Sequence, residues 1–441
     1  MPSQLPVPSA DPPPFARTDA SPAPARPAGV ATTAAIWALT RAPLLVLTFG
    51  WFNGDTGLYH DQGSRWLEGQ RPYADYPVEY PPAAALLFTL LAQIARVIGE
   101  GRGAFRAVFI VACLACDAVV AWHITKASRT RGPAVAYAVV GLALYPIWLV
   151  RFDLFPSLCV LLAAVIVGRV GVSVRPLAIG AALGGGIALK LYPVLLFIPW
   201  SLDLADRLRS RLSSLRVTTK SALAAAPVAT ASVLGKLGFA AFAIVVLSFV
   251  PAWLAGAGAA VTSFLDYHRG RGLHIESSYA AGLATINLVV PGTAWHVASH
   301  HAHNLAGPAA SGLLLLSRFV HPVAVLAAAW LAWRRRLPLV QTWAALLATA
   351  IASASVFSPQ FLLWLFPLAL FACATNWQPH DAFLPIAIAV LTTAIFPLTY
   401  PDLIAGRWFA VALLLLRNLL LVLFARHLLR PRVTQPQPIT G

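Results

Sequence analysis

Long apolar runs, separated by short clusters of arginine, recur along almost the whole of this chain. A helix needs roughly 20 predominantly apolar residues to cross the hydrocarbon core of a bilayer. Only 11% of the 441 residues are charged, against about 25% in soluble domains, and 59% are hydrophobic. The runs are continuous rather than alternating over about ten residues, which argues against a transmembrane β-barrel. The expected fold class is an all-α polytopic membrane protein, a bundle of about twelve transmembrane helices.

Candidate spans lie near 31–52, 82–99, 104–123, 133–150, 154–170, 176–200, 237–254, 305–333, 339–356, 360–376, 383–398 and 406–425. An even number puts both termini on one side. The net charge of +16 is not the footprint of a nucleic-acid binder, because the basic residues sit in clusters between apolar runs. Lys and Arg of that kind orient helices by staying cytoplasmic, where anionic lipid also favours them. The cluster Arg207, Arg209, Arg211, Arg216 and Lys220, the triplet Arg334, Arg335 and Arg336, and the tail group Arg426, Arg430 and Arg432 then face the cytoplasm. The outer loops become 53–81, 255–304 and the turn near Ser358. Lys126, Arg129 and Arg131 fall outside in this scheme, against the rule.

Residues 1–29, rich in Pro, Ala and Ser, read as a disordered cytoplasmic tail, 30–428 as the membrane domain and 429–441 as a short basic tail. The first apolar run is too long for the apolar core of a signal peptide and reads as a span that also targets the chain. No internal repeat has a convincing register.

Several chemistries are excluded at this level. There is no G-x-x-x-x-G-K-[ST], no G-x-S-x-G and no H-E-x-x-H. Cys113, Cys116, Cys159 and Cys373 all fall in spans, where the C-x-x-C of the first two reads as packing. His296, His300, His301 and His303 form no H-x-x-x-H on a helix with a supporting acid, so no metal site is expected.

Chemistry concentrates where the apolar sequence is interrupted. The stretch from Asn53 to Pro82 holds Asp55, Asp61, Glu68, Asp75 and Glu79, although the whole chain has only 16 acidic residues. Asp55 follows the first span directly. Asp75, Glu79 and Tyr80 immediately precede Pro81 and Pro82, which stiffen the approach to the next helix. Asp55 and Glu79 are therefore expected at the same depth, placed to act as a general base on a hydroxyl; acidic helix caps are the plainer explanation. In YHRGRGLHIESS, His268, Arg269, Arg271, His274 and Glu276 suit a phosphate through charge-assisted hydrogen bonds. RFDLFP contains Arg151 and Asp153, either a structural ion pair or a functional one. Lys190, in GGGIALKLYP, lies in an apolar helix and needs a partner, a route to the surface or an anionic ligand. Ser358 and Gln360 open a helix in FSPQFLLWLFP, which also holds Trp364.

These stretches, in this order, resemble the polytopic glycosyltransferases of the GT-C type, and among them the family 87 polyprenyl-phosphate-mannose-dependent alpha-mannosyltransferases of actinobacteria. The residues that carry the resemblance are Asp55 with Tyr59, PYADYPVEYPP (Pro72 to Pro82), RFDLFP, the K-x-Y-P from Lys190 to Pro193, HIES (His274 to Ser277) and SPQFLLW (Ser358 to Trp364). The resemblance implies a GT-C-like bundle with a functional first outer loop, and transfer of a sugar, most simply mannose, on the outer face of the cell membrane. It implies a polyprenyl-phosphate-sugar donor, a lipid-linked or glycan acceptor, inversion at the anomeric carbon, and no cofactor or metal. Asp55 takes the place of the base, with Asp61, Asp75 or Glu79 as a second acid. Tyr59, Tyr80 and Trp364 are then expected to stack on sugar or prenyl groups, and Arg269, Arg271, His274 and Lys190 to balance phosphate charge. The alternatives are transfer of another lipid-linked sugar such as arabinose, or a transporter or flippase of a lipid-linked glycan. A transporter predicts inverted repeats and broken helices at mid-depth.

Overall fold

A computed structural model describes residues 29–51, 55–171, 175–200, 202 and 220–432. The proline-rich residues 1–28, the basic residues 207–219 and residues 433–441 of the C-terminal tail lie outside the described residues. What is described is an all-α polytopic membrane protein, in which seven helices are long and apolar enough to cross a bilayer. They include Gly101–Ala127, Pro308–Arg334 and Trp408–Leu428.

The N-terminal half runs α1 (Val30–Trp51), α2 (Thr56–Leu67), α3 (Pro82–Ile98), α4 (Gly101–Ala127), α5 (Gly132–Ala143), α6 (Tyr145–Trp148), α7 (Leu154–Val170) and α8 (Pro176–Leu189). Asp117 on α4 ties the first of these together. Its carboxylate accepts hydrogen bonds from Arg41 (2.7 and 2.9 Å), Tyr137 (2.7 Å), Trp148 (2.8 Å) and Trp37 (2.6 Å). A charge with no exposed surface survives in a low-dielectric interior only when it is paired and fully hydrogen-bonded in this way.

The 82–99 segment, expected as a span, is not one. Pro81 and Pro82 start α3 beside Tyr80, and its far end returns to α2, where Arg96 lies 3.6 Å from Glu68. The next helix begins at that same end, since Arg102 pairs with Asp61 at 2.7 Å and Arg106 donates to the Thr48 carbonyl of α1. Both ends of α3 are therefore at one end of the bundle. Its sequence allows this because it has two faces. Ala84, Ala85, Phe88, Leu91, Ala92 and Ala95 are buried, whereas Leu90, Ile94, Val97 and Ile98 form an exposed apolar stripe at helical spacing. Gly63 lets α2 lie against α3; a Cβ there would stand 2.5 Å from the Phe88 carbonyl.

The 176–200 segment is likewise not one span. It breaks at Lys190, whose backbone is extended, before a 3₁₀ turn over Tyr192–Phe197. Pro193 cannot continue the hydrogen-bond ladder of α8. From Lys190 the chain runs back toward the opposite end, where Trp200 meets Trp343 with ring centroids 5.6 Å apart. Two residues before Trp343, Gln341 donates to the carbonyls of Leu428 and Arg430.

These two corrections separate the ends of the bundle by charge. At one end Arg335 donates to the Leu429 carbonyl, Arg432 to both oxygens of Asp381, and Gly132 touches Trp377. With α3 no longer crossing, Arg129 and Arg131 join this basic end, and their conflict with the sidedness rule disappears. The acidic first loop occupies the other end. There a three-stranded sheet of order β1-β3-β2 is built from β1 (Leu273–His274), β2 (Trp295–Ser299) and β3 (Ala302–Ala306).

Candidate functional site

A cavity of about 750 Å³ opens at the acidic end. Its wall is assembled from segments far apart in sequence. Asp55, Glu79 and Tyr80 come from the first loop, Arg151 from the turn between α6 and α7, and Lys190 from the break after α8. His268, Arg271, His274 and Glu276 come from the 255–304 segment, Ser358 and Gln360 from the turn near Ser358, and Trp364 from the helix Leu362–Cys373 that follows it.

Sequence neighbours do not pair with each other here. Arg151 and Asp153, two residues apart, bind different partners: Arg151 forms an ion pair with Asp55, and Asp153 pairs with Lys190 at 2.7 Å. A third pair, Glu276 with Arg417 at 2.6 Å, is wholly buried, and Arg417 also donates to the Glu276 carbonyl. Once these three pairs are matched, Glu79 and Arg271 remain on the cavity wall with no salt bridge among the described residues. The cavity wall thus carries one carboxylate and one guanidinium that are not tied up in an ion pair of their own among the described residues.

Lys190 sits in an aromatic cage. Its ammonium lies 4.7 Å from the Phe152 ring centre and 5.7 Å from that of Tyr80, adding cation–π attraction to the Asp153 contact, and 5.2 Å from the centre of Trp364, which donates to the same carboxylate oxygen. The partner it requires is protein, not a free anion.

Five expected contacts are corrected. Tyr59 has no exposed surface and stacks on Phe88 at 4.4 Å, because α2 turns this ring into α3 rather than toward the cavity. Asp75 points outward and closes a turn by accepting from the Arg71 backbone and guanidinium, which holds its carboxyl down to about 2. Arg269 is exposed and pairs with Asp266 one helical turn away. Asp153 is buried beneath the wall, where its Oδ1 accepts from both Lys190 and Trp364 (2.6 Å). Trp364 borders the cavity, but its faces are covered by Tyr192 at 4.3 Å and Phe361 at 4.1 Å, leaving no face to stack on a sugar.

His274 is nearly completely buried on β1, and its Nδ1 accepts the Glu276 N–H. Burial, reinforced by the charges of Arg271 and Arg417, pushes its pKa down to about 3. It therefore acts as a neutral imidazole. Tyr400 borders the same cavity, and burial beside Glu276 pushes its phenol up.

Sequence reasoning missed Arg417 and Tyr400, and it weighed the β2–β3 histidines only as metal ligands. A lone arginine inside an apolar helix was the available signal for Arg417. His300 and His301 form the tip of the β2–β3 hairpin with φ of 54° and 50°, left-handed values that such turns usually give to Asn and Gly. Both border the cavity with His303. His296 and His303 approach to 2.6 Å between ring nitrogens. At the basic end His380, Asp381 and His427 have metal-ligand spacing, but Arg432 occupies both Asp381 oxygens at 2.8 Å, so the group reads as an ion-pair network.

The chain matches no protein family, no curated protein and no solved structure.

Proposed function

We propose that this protein transfers a sugar, most simply mannose, from a polyprenyl-phosphate donor to a lipid-linked or glycan acceptor, at the extracytoplasmic face of the cell membrane. The observation that carries the reading is the cavity itself. It gathers Asp55 and Glu79 of the first loop and Arg271 around one volume, at the end of the bundle away from the described arginine clusters. The positive-inside rule then favours an outward-facing cavity. In this reading α3 drops out of the expected crossings and 176–200 counts twice, so the proposed number stays at twelve.

In this reading Asp55 takes the proton of the acceptor hydroxyl, and Arg151 aims its carboxylate. Arg271 and His268, on the facing segment, meet the donor phosphate. Polyprenyl phosphate is already a good leaving group, so no metal or cofactor is invoked; charge stabilisation and positioning supply the catalysis. The buried pairs Asp153–Lys190 and Glu276–Arg417 hold the walls in place.

The test is transfer in membranes containing the chain, supplied with radiolabelled polyprenyl-phosphate-mannose and fractionated for labelled acceptor. Asp55→Asn is expected to lower transfer by about 100-fold or more, the range of a lost general base. Full activity in Asp55→Asn at unchanged expression refutes the assignment of the base. No labelled acceptor with the unaltered protein refutes the donor.

A further inference from the structure

A serine, a histidine and an aspartate form a hydrogen-bonded chain on α2, outside the main cavity. His60 Nδ1 lies 3.0 Å from Asp61 Oδ1, and His60 Nε2 lies 3.3 Å from the Ser64 hydroxyl. Burial alone would raise the Asp61 carboxyl, but bonds from His60 and Arg102 hold it below its ordinary range, so it is ionised. An ionised carboxylate only accepts, so Nδ1 carries the proton and Nε2 is left to accept from Ser64. That is the tautomer a serine nucleophile needs from its base. The Ser64 contact has the looser length usual before substrate binds. Asp61 is itself fixed by the Arg102 guanidinium, which donates to Oδ1 at 3.2 Å and to Oδ2 at 2.7 Å. The His60 ring stands edge-on to Phe105, with centroids 5.4 Å apart. A pocket of about 420 Å³ opens beside these groups, within the range of small-molecule sites, roughly 300 to 1,000 Å³. His60 and Ser64 line it and Asp61 does not. Nucleophile and base therefore face the space, with the orienting acid behind them. The start of α4, at Glu100 and Gly101, borders the same pocket, and no side chain caps that helix. First-turn N–H groups have no partner within a helix, and they suit a developing oxyanion. Glu68 and Arg96 on the wall offset each other at 3.6 Å, and Glu100 adds no positive charge, so an anionic substrate is not favoured.

We propose that Ser64, His60 and Asp61 form a second active site, which hydrolyses an uncharged carboxylic ester with a short acyl chain. Ser64 Oγ bonds to the ester carbonyl carbon while its proton passes to His60 Nε2. The bond from that carbon to the alcohol oxygen then breaks, and the alcohol leaves with the proton from Nε2. Water adds to the acyl-serine in the same way, giving its proton to His60, and Ser64 recovers a proton as the carboxylic acid departs. Ser64 and His60 are the catalytic residues, and Asp61 is a positioning residue. The proposal is independent of the transfer reading, since none of the three borders the main cavity.

The experiment supplies the full chain in lipid nanodiscs with p-nitrophenyl butyrate and, separately, with an alkyl fluorophosphonate, which phosphonylates an activated serine as fluoride leaves. The unaltered protein is expected to release nitrophenol faster than empty nanodiscs, and peptide mass spectrometry to place the phosphonyl adduct on Ser64. Ser64→Ala and His60→Gln are expected to fall to the rate of empty nanodiscs. Asp61→Asn is expected to lower kcat by about 100-fold or more with KM unchanged, because the base then loses its orienting acceptor. Ser64→Ala removes a single partly exposed hydroxyl, so it keeps the test decisive should His60→Gln fail to fold. Release no faster than from empty nanodiscs, an unchanged rate in folded Ser64→Ala, or an adduct only on another serine overturns the second site. An unchanged kcat in Asp61→Asn overturns the triad.

Discussion

Replacing Lys190 by methionine tests whether the cavity floor is held by a buried charge pair. Asp153 has no exposed surface, its Oδ1 accepts from Lys190 Nζ at 2.7 Å and from Trp364 Nε1 at 2.6 Å, and its Oδ2 has no partner among the described residues. In Lys190→Met the carboxylate keeps one neutral donor, and breaking a buried pair from one side costs about 3–5 kcal/mol. Asp153→Asn strands the ammonium instead, and its aromatic cage returns only about 0.5–2 kcal/mol of that cost. The double variant removes both charges. The amide oxygen introduced by Asp153→Asn still accepts from Trp364, and methionine fills the space of the lysine stem. The remaining cost is one unpaired amide NH2 group, about 1–3 kcal/mol. The double variant is therefore expected to be more stable than either single predicts. The coupling between the two sites should reach at least about 2 kcal/mol, within the range seen for contacting residues. Equilibrium unfolding in detergent micelles, followed by circular dichroism on all four proteins, measures it. Additivity of the two single changes, or single variants that unfold at the unaltered midpoint, refutes the pairing.

Three further outcomes are expected. Gly180→Ala should lower the unfolding midpoint and reduce the amount of folded protein in membranes, because its Cβ would stand 2.2 Å from the Leu237 carbonyl; overpacking of this kind costs about 1–3 kcal/mol. Acid should destabilise the protein through His274. Its folded-state pKa of about 3 lies below the ordinary value, so from about pH 6.5 downward the unfolded chain binds a proton that the folded one refuses. The resulting loss is about 2 kcal/mol by pH 5, and unfolding at pH 7.5 and 5 should show that much less acid sensitivity in His274→Gln. Asp75→Asn and Arg269→Ala should leave transfer unchanged in the membrane assay, since neither side chain borders the cavity; a tenfold loss in either would return that residue to the site.

The membrane class and the positions of most helices were legible because hydropathy is a local property. The acidic first loop, the 268–276 cluster and Lys190 stood out for the same reason: polar residues are conspicuous against an apolar background. The α3 helix was misread because a mostly apolar helix of 17 residues looks alike whether it crosses a bilayer or lies along its surface, and hydropathy carries no direction. Its two-faced pattern was present in the sequence, with Leu90, Ile94, Val97 and Ile98 on one stripe and Phe88, Leu91 and Ala95 on the other. The break at Lys190 was signalled weakly by Pro193. Arg417 was overlooked because a single charge disappears in an otherwise apolar window.

The sequence by itself determined that this chain must live in a bilayer as helices, which end of them is basic, and which residue types are left to do chemistry. Only the tertiary structure decided the partners. Arg151 and Asp153 sit in one turn yet bind Asp55 and Lys190, and Glu276 finds an arginine 141 positions away in the chain. Ion pairing depends on approach within about 4 Å in a medium of low dielectric, and that distance is set by how helices pack rather than by spacing along the chain. The same packing turned Tyr59 inward, covered Trp364 on both faces, and left Glu79 and Arg271 open to the cavity.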